Sequence, residues 1–214
     1  MFWIALWLVG IARCHGDSRV TDANLFMDSV FLTQMPKVVA SAGLEPVKLS
    51  PFGVSVVPPK LGDSRSLMPA SDWSFDEIDL QGLSDVVRSE NCSAVAIRAG
   101  NITVTCRVSL GRLRVALTGS VVWDDSREKR QPARTLAQLT RSYAVVVAAG
   151  PQRYKPGSLI RFDVTDLNLV YAPNYEPLSK KLSKKLRSRV KKILETEYRA
   201  ALVRAVARVN LPAA

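Results

Sequence analysis

The sequence predicts an α+β protein in which an antiparallel sheet packs against a long C-terminal helix. Three observations indicate this class: an apolar residue returns at every fourth position from 178 to 206, the middle of the chain alternates apolar and polar residues, and a shorter helical pattern precedes both. The first spacing is typical of an amphipathic helix and the second of a half-buried strand. Because each pattern leaves one apolar face, the sheet and the helix are expected to cover each other.

The C-terminal helix is predicted over residues 176–210. Asn174 can cap its first turn, Pro177 fits within that turn, and Asn210 with Pro212 marks its end. At 1.5 Å per residue the helix would be roughly 50 Å long, and its four-residue repeat drifts by about 40° per step, which favours a curled partner surface. Its apolar side is predicted to hold Leu178, Leu182, Leu186, Val190, Ile193, Leu194, Tyr198, Ala201, Leu202, Ala205, Val206 and Val209.

Residues 92–109 are predicted to form a β-hairpin around the three-residue turn 98–100. Its glycine, Gly100, then occupies the position that requires a positive φ angle. This register sets Ile97 opposite Asn101, and it places six residues on one face: Cys92, Ala94, Ala96, Ile102, Val104 and Cys106. Cys92 and Cys106 lie opposite each other in this register, so an extracellular chain is expected to join them in a disulfide.

The strands that follow extend this sheet. The strand after the hairpin carries Leu113, Val115 and Leu117 on its apolar side, and the last strand carries Ile160 and Phe162 on its own. In the last strand the apolar parity changes at 165–166, which predicts a β-bulge and therefore a bend. The sheet is thus expected to be antiparallel and curled.

The N-terminal part divides into an apolar leader and a helix. Residues 2–12 are continuously apolar but too few to span a bilayer, which favours a secretory signal peptide over residues 1–16; a buried N-terminal segment is the alternative. Residues 17–214 would then form a single secreted domain. A helix is predicted over 21–42, kinked or divided by Pro36, with a buried side that holds Ala23, Met27, Val30, Phe31, Met35 and Val38.

Positive charge is concentrated in the C-terminal helix. The chain carries a formal net charge of +11, and residues 180–208 hold eleven Lys or Arg residues against two acidic ones. One interpretation is a solvated helix face. The other is an anionic partner, membrane phospholipid or lipopolysaccharide, because cations near a helix N-terminus oppose the helix dipole by about 0.3–1 kcal/mol each. The residues proposed for this contact are Lys180, Lys181, Lys184 and Lys185; no aromatic residues interleave them as in nucleic-acid binders.

No constellation of residues in the sequence predicts catalysis, a cofactor or a metal site. The only histidine, His15, lies at the end of the leader, which leaves poor material for a His-based catalytic site or a zinc site. The acidic pairs 124–125 and Asp163 with Asp166 fall at predicted strand ends or bulges and are interpreted as turn and solvent residues. The chain is therefore predicted not to be an enzyme.

Two positions match the N-glycosylation pattern, Asn91 and Asn101. The pattern is relevant only if the chain is secreted. Asn101 points away from the apolar face in the predicted hairpin and is the better acceptor, while a turn asparagine without sugar is the alternative. Asn91 precedes a cysteine that is expected to be oxidised.

Three short segments resemble the arthropod secreted family of takeout and juvenile-hormone-binding proteins, with the group 7 mite allergens as the branch most similar in organisation. They are residues 43–49 (GLEPVKL), 78–85 (IDLQGLSD) and 162–167 (FDVTDL), and they occur in the order found in the family. The resemblance implies the tubular lipid-binding fold, in which a highly curved antiparallel sheet wraps around a long C-terminal helix. Two features depart from the family: Cys14 lies in the leader, so the N-terminal disulfide is missing, and the helix is unusually basic.

The same resemblance implies a secreted carrier that binds a hydrophobic small molecule or lipid between sheet and helix. The expected ligand-binding residues are Leu113, Val115, Leu117, Ile160 and Phe162 on the sheet, and Leu182, Leu186, Val190, Ile193, Leu194, Tyr198 and Leu202 on the helix. Periodicity alone fits a filled apolar core equally well, because pocket walls and cores use the same residue types. Binding of anionic surfaces through the basic helix is the alternative function.

Overall fold

The computed structural model describes five stretches of the chain: residues 18–57, 70–124, 129–151, 153–172 and 176–213. The predicted signal peptide, with Cys14 and His15, lies outside them, as does the predicted cap Asn174. Within the described stretches the chain forms helices near both ends and two antiparallel sheets between them. The α+β class predicted from the sequence is therefore correct.

The strands are, in chain order, β1 (Val47–Lys48), β2 (Phe52–Val56), β3 (Ser71–Gln81), β4 (Val87–Arg88), β5 (Ala96–Arg98), β6 (Asn101–Ser109), β7 (Arg114–Trp123), β8 (Gln131–Leu139), β9 (Tyr143–Gly150), β10 (Ser158–Asp166) and β11 (Leu169–Ala172). The first sheet has the order β1-β3-β7-β8-β11, with β2 paired to β3 beside β1. The second sheet has the order β10-β9-β6-β4, with β5 paired to β6.

One long, interrupted hairpin joins the two sheets. Ser109 of β6 lies opposite Tyr143 of β9, and Arg114 of β7 lies opposite Gln138 of β8. The two pairs are five positions apart on both strands, so the pairing register is the same on the two sides of the break. Backbone hydrogen bonds of 2.8 and 3.0 Å cross the break itself. The sequence predicted a single curled sheet. In the structure the strand pairing keeps one register throughout, and the turn at 111–112 interrupts it and separates two sheets.

The predicted hairpin of residues 92–109 forms, but the predicted register at its turn is wrong by one residue. Arg98, rather than Ile97, lies opposite Asn101. The turn consists of Ala99 and Gly100 alone, with φ angles of 47° and 79°. Two successive positive φ angles are the geometry of the two-residue turn whose twist matches that of paired strands, and this match favours it over the longer turn.

The register returns to the predicted one at the cysteines. The backbone N–H of Ser93 donates to the carbonyl of Thr105 at 2.9 Å, which keeps Cys92 beside Cys106. The disulfide between them is present, with Cα atoms 4.4 Å apart. The slip between turn and disulfide changes which residues face inward, so the predicted inward positions of Ala94 and Ala96 are wrong and Val95 is buried instead.

The last long strand contains two bulges where the sequence predicted one. The pairing of β10 with β9 shifts between Val164 and Asp166, which confirms the predicted bulge at 165–166. A second shift, between Leu159 and Arg161, turns Ile160 outward and leaves it 57% exposed. Because an extra residue in a strand reverses the faces on either side of it, the prediction that Ile160 and Phe162 share the buried face is wrong.

The N-terminal helix continues through its proline. It is α-helical over 18–28, π-helical over Ser29–Gln34 and α-helical again over Met35–Ser41. Pro36 lacks an amide hydrogen and its ring clashes with the preceding turn of an α-helix, and the π-helical turn directly before it accommodates both effects. The predicted buried side is confirmed, since no more than 1% of any of the following is exposed: Ala23, Met27, Val30, Phe31, Met35 and Val38.

The C-terminal helix consists of an α-helical part, Glu176–Ile193, a π-helical turn, Leu194–Tyr198, and a second α-helical part, Arg199–Val206. It ends before the predicted Asn210, because that residue forms a β-bridge with Pro156. Its first part packs against β2 and β11, and its second part packs against β10 and the N-terminal helix. The buried residues of its apolar side are Leu178, Leu182, Leu186, Val190, Leu194, Tyr198, Ala201, Leu202, Ala205 and Val206.

Two of the three segments that carry the family resemblance contact each other. The carboxylate of Glu45 accepts hydrogen bonds from the backbone N–H groups of Gly82, at 2.6 Å, and Ser84, at 3.2 Å. Gly82 has a φ of 88°, and a Cβ atom there would lie 2.6 Å from the carbonyl oxygen of Arg112. These residues therefore form a structural junction that begins the 3₁₀ turn Leu83–Asp85.

Candidate functional site

The C-terminal helix lies against both edges of the first sheet. The strands β2 and β11 are at opposite edges of that sheet, and Glu176–Ile193 packs against each of them. The inner side chains of the helix and of the central strands belong to one buried apolar cluster. The helix therefore covers the inner face of the sheet, and the interface between them is the candidate site.

Three cationic side chains of the helix, Lys181, Lys185 and Arg189, form a basic row that contacts β2. The ammonium groups of Lys181 and Lys185 donate hydrogen bonds to the carbonyl oxygens of Ser55 and Gly53, and the guanidinium of Arg189 lies 4.6 Å from the ring centre of Phe52. An edge strand has carbonyl groups that no neighbouring strand can pair, and these lysines supply the missing donors. This contact was not predicted from the sequence. The four-residue spacing of Lys181, Lys185 and Arg189, next to the apolar side of the helix, is the pattern that could have indicated it.

Two of the four lysines that were predicted to bind an anionic surface belong to this basic row, and two do not. Lys180, Lys181, Lys184 and Lys185 are all exposed, yet Lys181 and Lys185 already bind backbone carbonyls of β2. These bonds also give the cations near the helix N-terminus a structural role. Contact with an anionic surface stays a prediction for the set, and Lys184 is the member best placed for it.

On the other side of the helix, Tyr171 of β11 lies close to Ser183 and Arg187. Burial raises the pKa of Tyr171, while Ser183 and Arg187 offset part of that effect. The hydroxyl group of Tyr171 is buried without a hydrogen bond of ordinary length and angle, although Ser183 is near enough to act on its pKa as a hydrogen-bond partner. This polar group at the sheet–helix boundary was not singled out from the sequence.

The second half of the interface is centred on Tyr198 and Phe162. Tyr198 is 0% exposed, and its ring centre lies 5.7 Å from that of Phe162 on β10. Burial raises the pKa of Tyr198 far above its ordinary value, so the hydroxyl stays protonated. Its oxygen has no hydrogen-bond partner in the part of the chain that the structure describes.

Most residues predicted to bind a ligand are buried in one cluster. Ile193 is half-buried and packs against that cluster, and Ile160 faces outward. The members of the buried cluster are Leu113, Val115, Leu117, Phe162, Leu182, Leu186, Val190, Leu194, Tyr198 and Leu202. Such burial fits a filled core and a ligand site alike, so ligand contact by these residues stays a prediction.

Ile160 instead lines a groove of 390 Å³ on the outer face of the second sheet. The groove crosses β5, β6, β9 and β10, and Arg98 and Arg161 lie at its sides. Arg161 is paired with Asp163, whose carboxylate oxygen is 2.6 Å from its Nε atom. This ion pair and the exposure of Asp166 agree with the interpretation of these acids as surface residues.

The two glycosylation patterns lie on exposed residues. Asn101 is the first residue of β6, next to the turn, and its side chain is exposed. Asn91 is exposed as well, and its Oδ1 atom accepts a hydrogen bond from Asn24 at 3.0 Å. Attachment of sugar to either residue stays a prediction.

Membrane-spanning helices and clusters of metal ligands are both absent from the residues that the structure describes. No helix among them is both long and apolar enough to cross a membrane. No group of three His, Cys, Asp or Glu side chains lies together in the same stretches of the chain. The predicted lack of a metal site and of catalysis stays a prediction.

Comparison with known proteins finds similarity only at the level of structure. No family model and no curated protein sequence matches the chain. A lipopolysaccharide-binding protein has 12% identity and a TM-score of 0.47 over 87% of this chain, which spans 38% of that protein. Takeout 1 of Epiphyas postvittana has 16% identity and a TM-score of 0.32 over 85% of this chain and 87% of its own length. Membership of the takeout family and of its mite-allergen branch stays a prediction.

Proposed function

We propose that the protein is a secreted carrier that binds a hydrophobic small molecule or lipid between its sheets and its C-terminal helix. One observation carries this proposal: the helix packs against both edge strands of the first sheet, β2 and β11, and covers the apolar inner face of that sheet. The side chains that the sheet and the helix bury against each other form an apolar interior. Such an interior suits a ligand that binds by burial of apolar surface.

The boundary between the helix and β2 is the proposed entrance. It is closed at its rim by the contacts of Lys181, Lys185 and Arg189, whereas β3 is held to β7 by a backbone ladder from Ser71 to Gln81. Exposed charged contacts contribute little stability because water competes for the same groups. This rim can therefore open without loss of the sheet, and an apolar molecule can enter there.

The carrier proposal predicts that the secreted protein purifies with about one equivalent of an apolar molecule. Organic-solvent extraction followed by mass spectrometry measures it, and a fluorescent fatty-acid probe should bind the extracted protein. Leu186→Trp puts a larger side chain into the interface and is expected to weaken probe binding about tenfold or more. The matched control is Leu32→Trp on the N-terminal helix, where the leucine is 60% exposed.

The comparison is made below the unfolding temperature of all three proteins. Loss of binding in Leu186→Trp together with normal binding in Leu32→Trp supports a ligand at the sheet–helix interface. A protein with nothing to extract that binds no apolar probe would contradict the carrier function. Equal probe binding by the wild type and both variants would place the ligand elsewhere.

Binding of anionic membrane or lipopolysaccharide surfaces is the second candidate function. The observation that favours it is the set of exposed cations on the outer side of the helix, which includes Lys184 and Lys192. Lys191 is also there but forms an ion pair with Glu195 at 3.6 Å. A surface cation attracts an anionic bilayer by about 1 kcal/mol, and salt screens that attraction.

The structure supplies matched pairs of lysines for this test. Changing Lys184 and Lys192 to Gln is expected to weaken binding to anionic liposomes by about 2 kcal/mol, or roughly 30-fold at low salt. Changing Lys181 and Lys185 to Gln should weaken liposome binding less and lower the melting temperature only slightly, because those lysines make exposed hydrogen bonds to β2. Co-sedimentation with neutral and anionic liposomes at low and physiological salt measures the difference. Equal liposome binding by the wild type and all variants would contradict surface binding and would mean that these lysines form only a solvated helix face.

A further inference from the structure

We infer that the hydroxyl group of Tyr198 is the polar anchor for the bound molecule, and that this molecule is an uncharged amphiphile with an oxygen acceptor such as a ketone, ester or ether. The inference rests on the proposed carrier function. It extends that function from apolar ligands in general to one chemical class and one contact atom.

The first reason is the unmet hydrogen bond. Tyr198 lies at the C-terminal end of the π-helical turn Leu194–Tyr198 and is fully buried against Phe162. Its hydroxyl has no partner among the residues that the structure describes. A buried hydroxyl that gives up its bonds to water and gains none in return destabilises the protein, and a site that binds a polar atom is a common reason for such a group. A ligand oxygen at this point would supply the missing acceptor.

The second reason is the lack of charge around this hydroxyl. Burial, and not a neighbouring charge, accounts for the raised pKa of Tyr198. Apart from tyrosines, the buried polar side chains of the described stretches are the neutral Ser71, Thr135 and Ser142, and one carboxylate oxygen of Asp79 on β3 is buried as well. A carboxylate in such an interior would lose its hydration without meeting a cation, which is far more costly than burial of a neutral oxygen. Because burial also keeps the tyrosine protonated, its O–H can donate to a neutral acceptor at any physiological pH.

The third reason is the helix geometry at this residue. Leu194–Tyr198 is the only part of the C-terminal helix with π-helical pairing in the described residues, and its strand neighbour is β10. A π-helical turn widens the helix and interrupts the regular hydrogen-bond pattern, and such turns occur frequently at functional sites. Tyr198 is thus the point at which the helix can adjust to an inserted molecule.

Tyr171 offers a matched control. Its hydroxyl is also buried without a hydrogen bond of ordinary length and angle, but Ser183 acts on its pKa as a hydrogen-bond partner and the exposed Arg187 adds a positive charge. An acceptor at Tyr171 could therefore be an anion, whereas an acceptor at Tyr198 could not. The two tyrosines predict different ligand classes.

The experiment uses the full secreted protein after extraction of any bound lipid, with phenylnaphthylamine as the fluorescent apolar probe. Its displacement is measured with methyl myristate, with the hydrocarbon pentadecane and with the myristate anion, for the wild type, Tyr198→Phe and Tyr171→Phe. The wild type is expected to bind methyl myristate more tightly than it binds pentadecane or the myristate anion. Tyr198→Phe should weaken ester binding about 3- to 10-fold and leave pentadecane binding unchanged. Tyr171→Phe should change neither the binding of methyl myristate nor that of pentadecane.

Other outcomes overturn the inference in distinguishable ways. If all proteins bind the probe but Tyr198→Phe binds the ester as the wild type does, the carrier function stands and the anchor is wrong. If Tyr171→Phe alone weakens binding, and the anion is the preferred ligand, the anchor is Tyr171. If the wild type binds no probe, the carrier function fails together with the anchor. Finally, a clearly lower melting temperature of lipid-free Tyr198→Phe would mean that the hydroxyl is paired within the protein, which also contradicts the inference.

Discussion

Replacement of Gly119 by alanine is expected to lower the free energy of unfolding by at least about 3 kcal/mol. A Cβ atom on Gly119 would lie 1.9 Å from the carbonyl oxygen of Ser74 and 2.8 Å from the Cα atom of Phe75. Both atoms belong to the backbone of β3, where the pairing with β7 shifts between Phe75 and Glu77. The methyl group can therefore be accommodated only if two central strands move apart.

Thermal denaturation followed by circular dichroism measures this effect, which for a domain of this size corresponds to a midpoint roughly 6–12 °C lower. Gly111→Ala is the matched control. The nearest atom to a Cβ there is the side-chain oxygen of Ser109 at 3.3 Å, which needs to shift only slightly and can keep accepting its hydrogen bond from the Gly111 N–H. That variant should stay within about 0.5 kcal/mol of the wild type. Equal midpoints for the two variants would contradict the pairing of β3 with β7 at this register.

Removal of the disulfide by the double change Cys92→Ala and Cys106→Ala is expected to cost about 3 kcal/mol, or roughly 6–12 °C in the melting midpoint. The bond closes a loop with a sequence separation of 14, and it holds the part of the hairpin in which the register slips. Without the bond the unfolded chain gains conformations, and the hairpin loses the constraint on its register. Both cysteines are buried, so alanine leaves no unpaired polar group behind.

A reducing agent provides the control for this prediction. It should lower the midpoint of the wild type to that of the double variant and leave the double variant unchanged. Peptide mapping without reduction should recover Cys92 and Cys106 in one linked fragment. Two free thiols in the purified protein, or a double variant as stable as the wild type, would contradict the prediction.

Sequence pattern alone determined the features that depend on local periodicity. The apolar sides of both long helices follow from residue spacing, since a helix returns to the same side every three to four residues. The bulge at 165–166 follows from a change of parity within one strand. The Cys92–Cys106 bond follows from two cysteines in facing strands, and it forms even though the predicted turn was wrong.

Tertiary structure decided the features that depend on one extra residue or on distant partners. The unpredicted bulge beside Ile160 reverses the face of that residue, because strand faces alternate and a slip of one position exchanges them. Likewise, Lys181 binds Ser55 from 126 positions away, and the four-residue spacing of the basic row cannot show which strand that row meets. Such pairings depend on which strand becomes an edge, and that is a property of the whole sheet.

The same division holds for the candidate site. The spacing of the apolar residues predicted that Tyr198 and Phe162 would be buried, and the structure places their rings together. Spacing could not show that the Tyr198 hydroxyl lacks a partner, because a tyrosine is apolar along its ring and polar at its tip, and only the folded surroundings decide whether that tip meets an acceptor. The sequence determined which residues form the interior, and the tertiary structure decided which polar atom there is left without a bond.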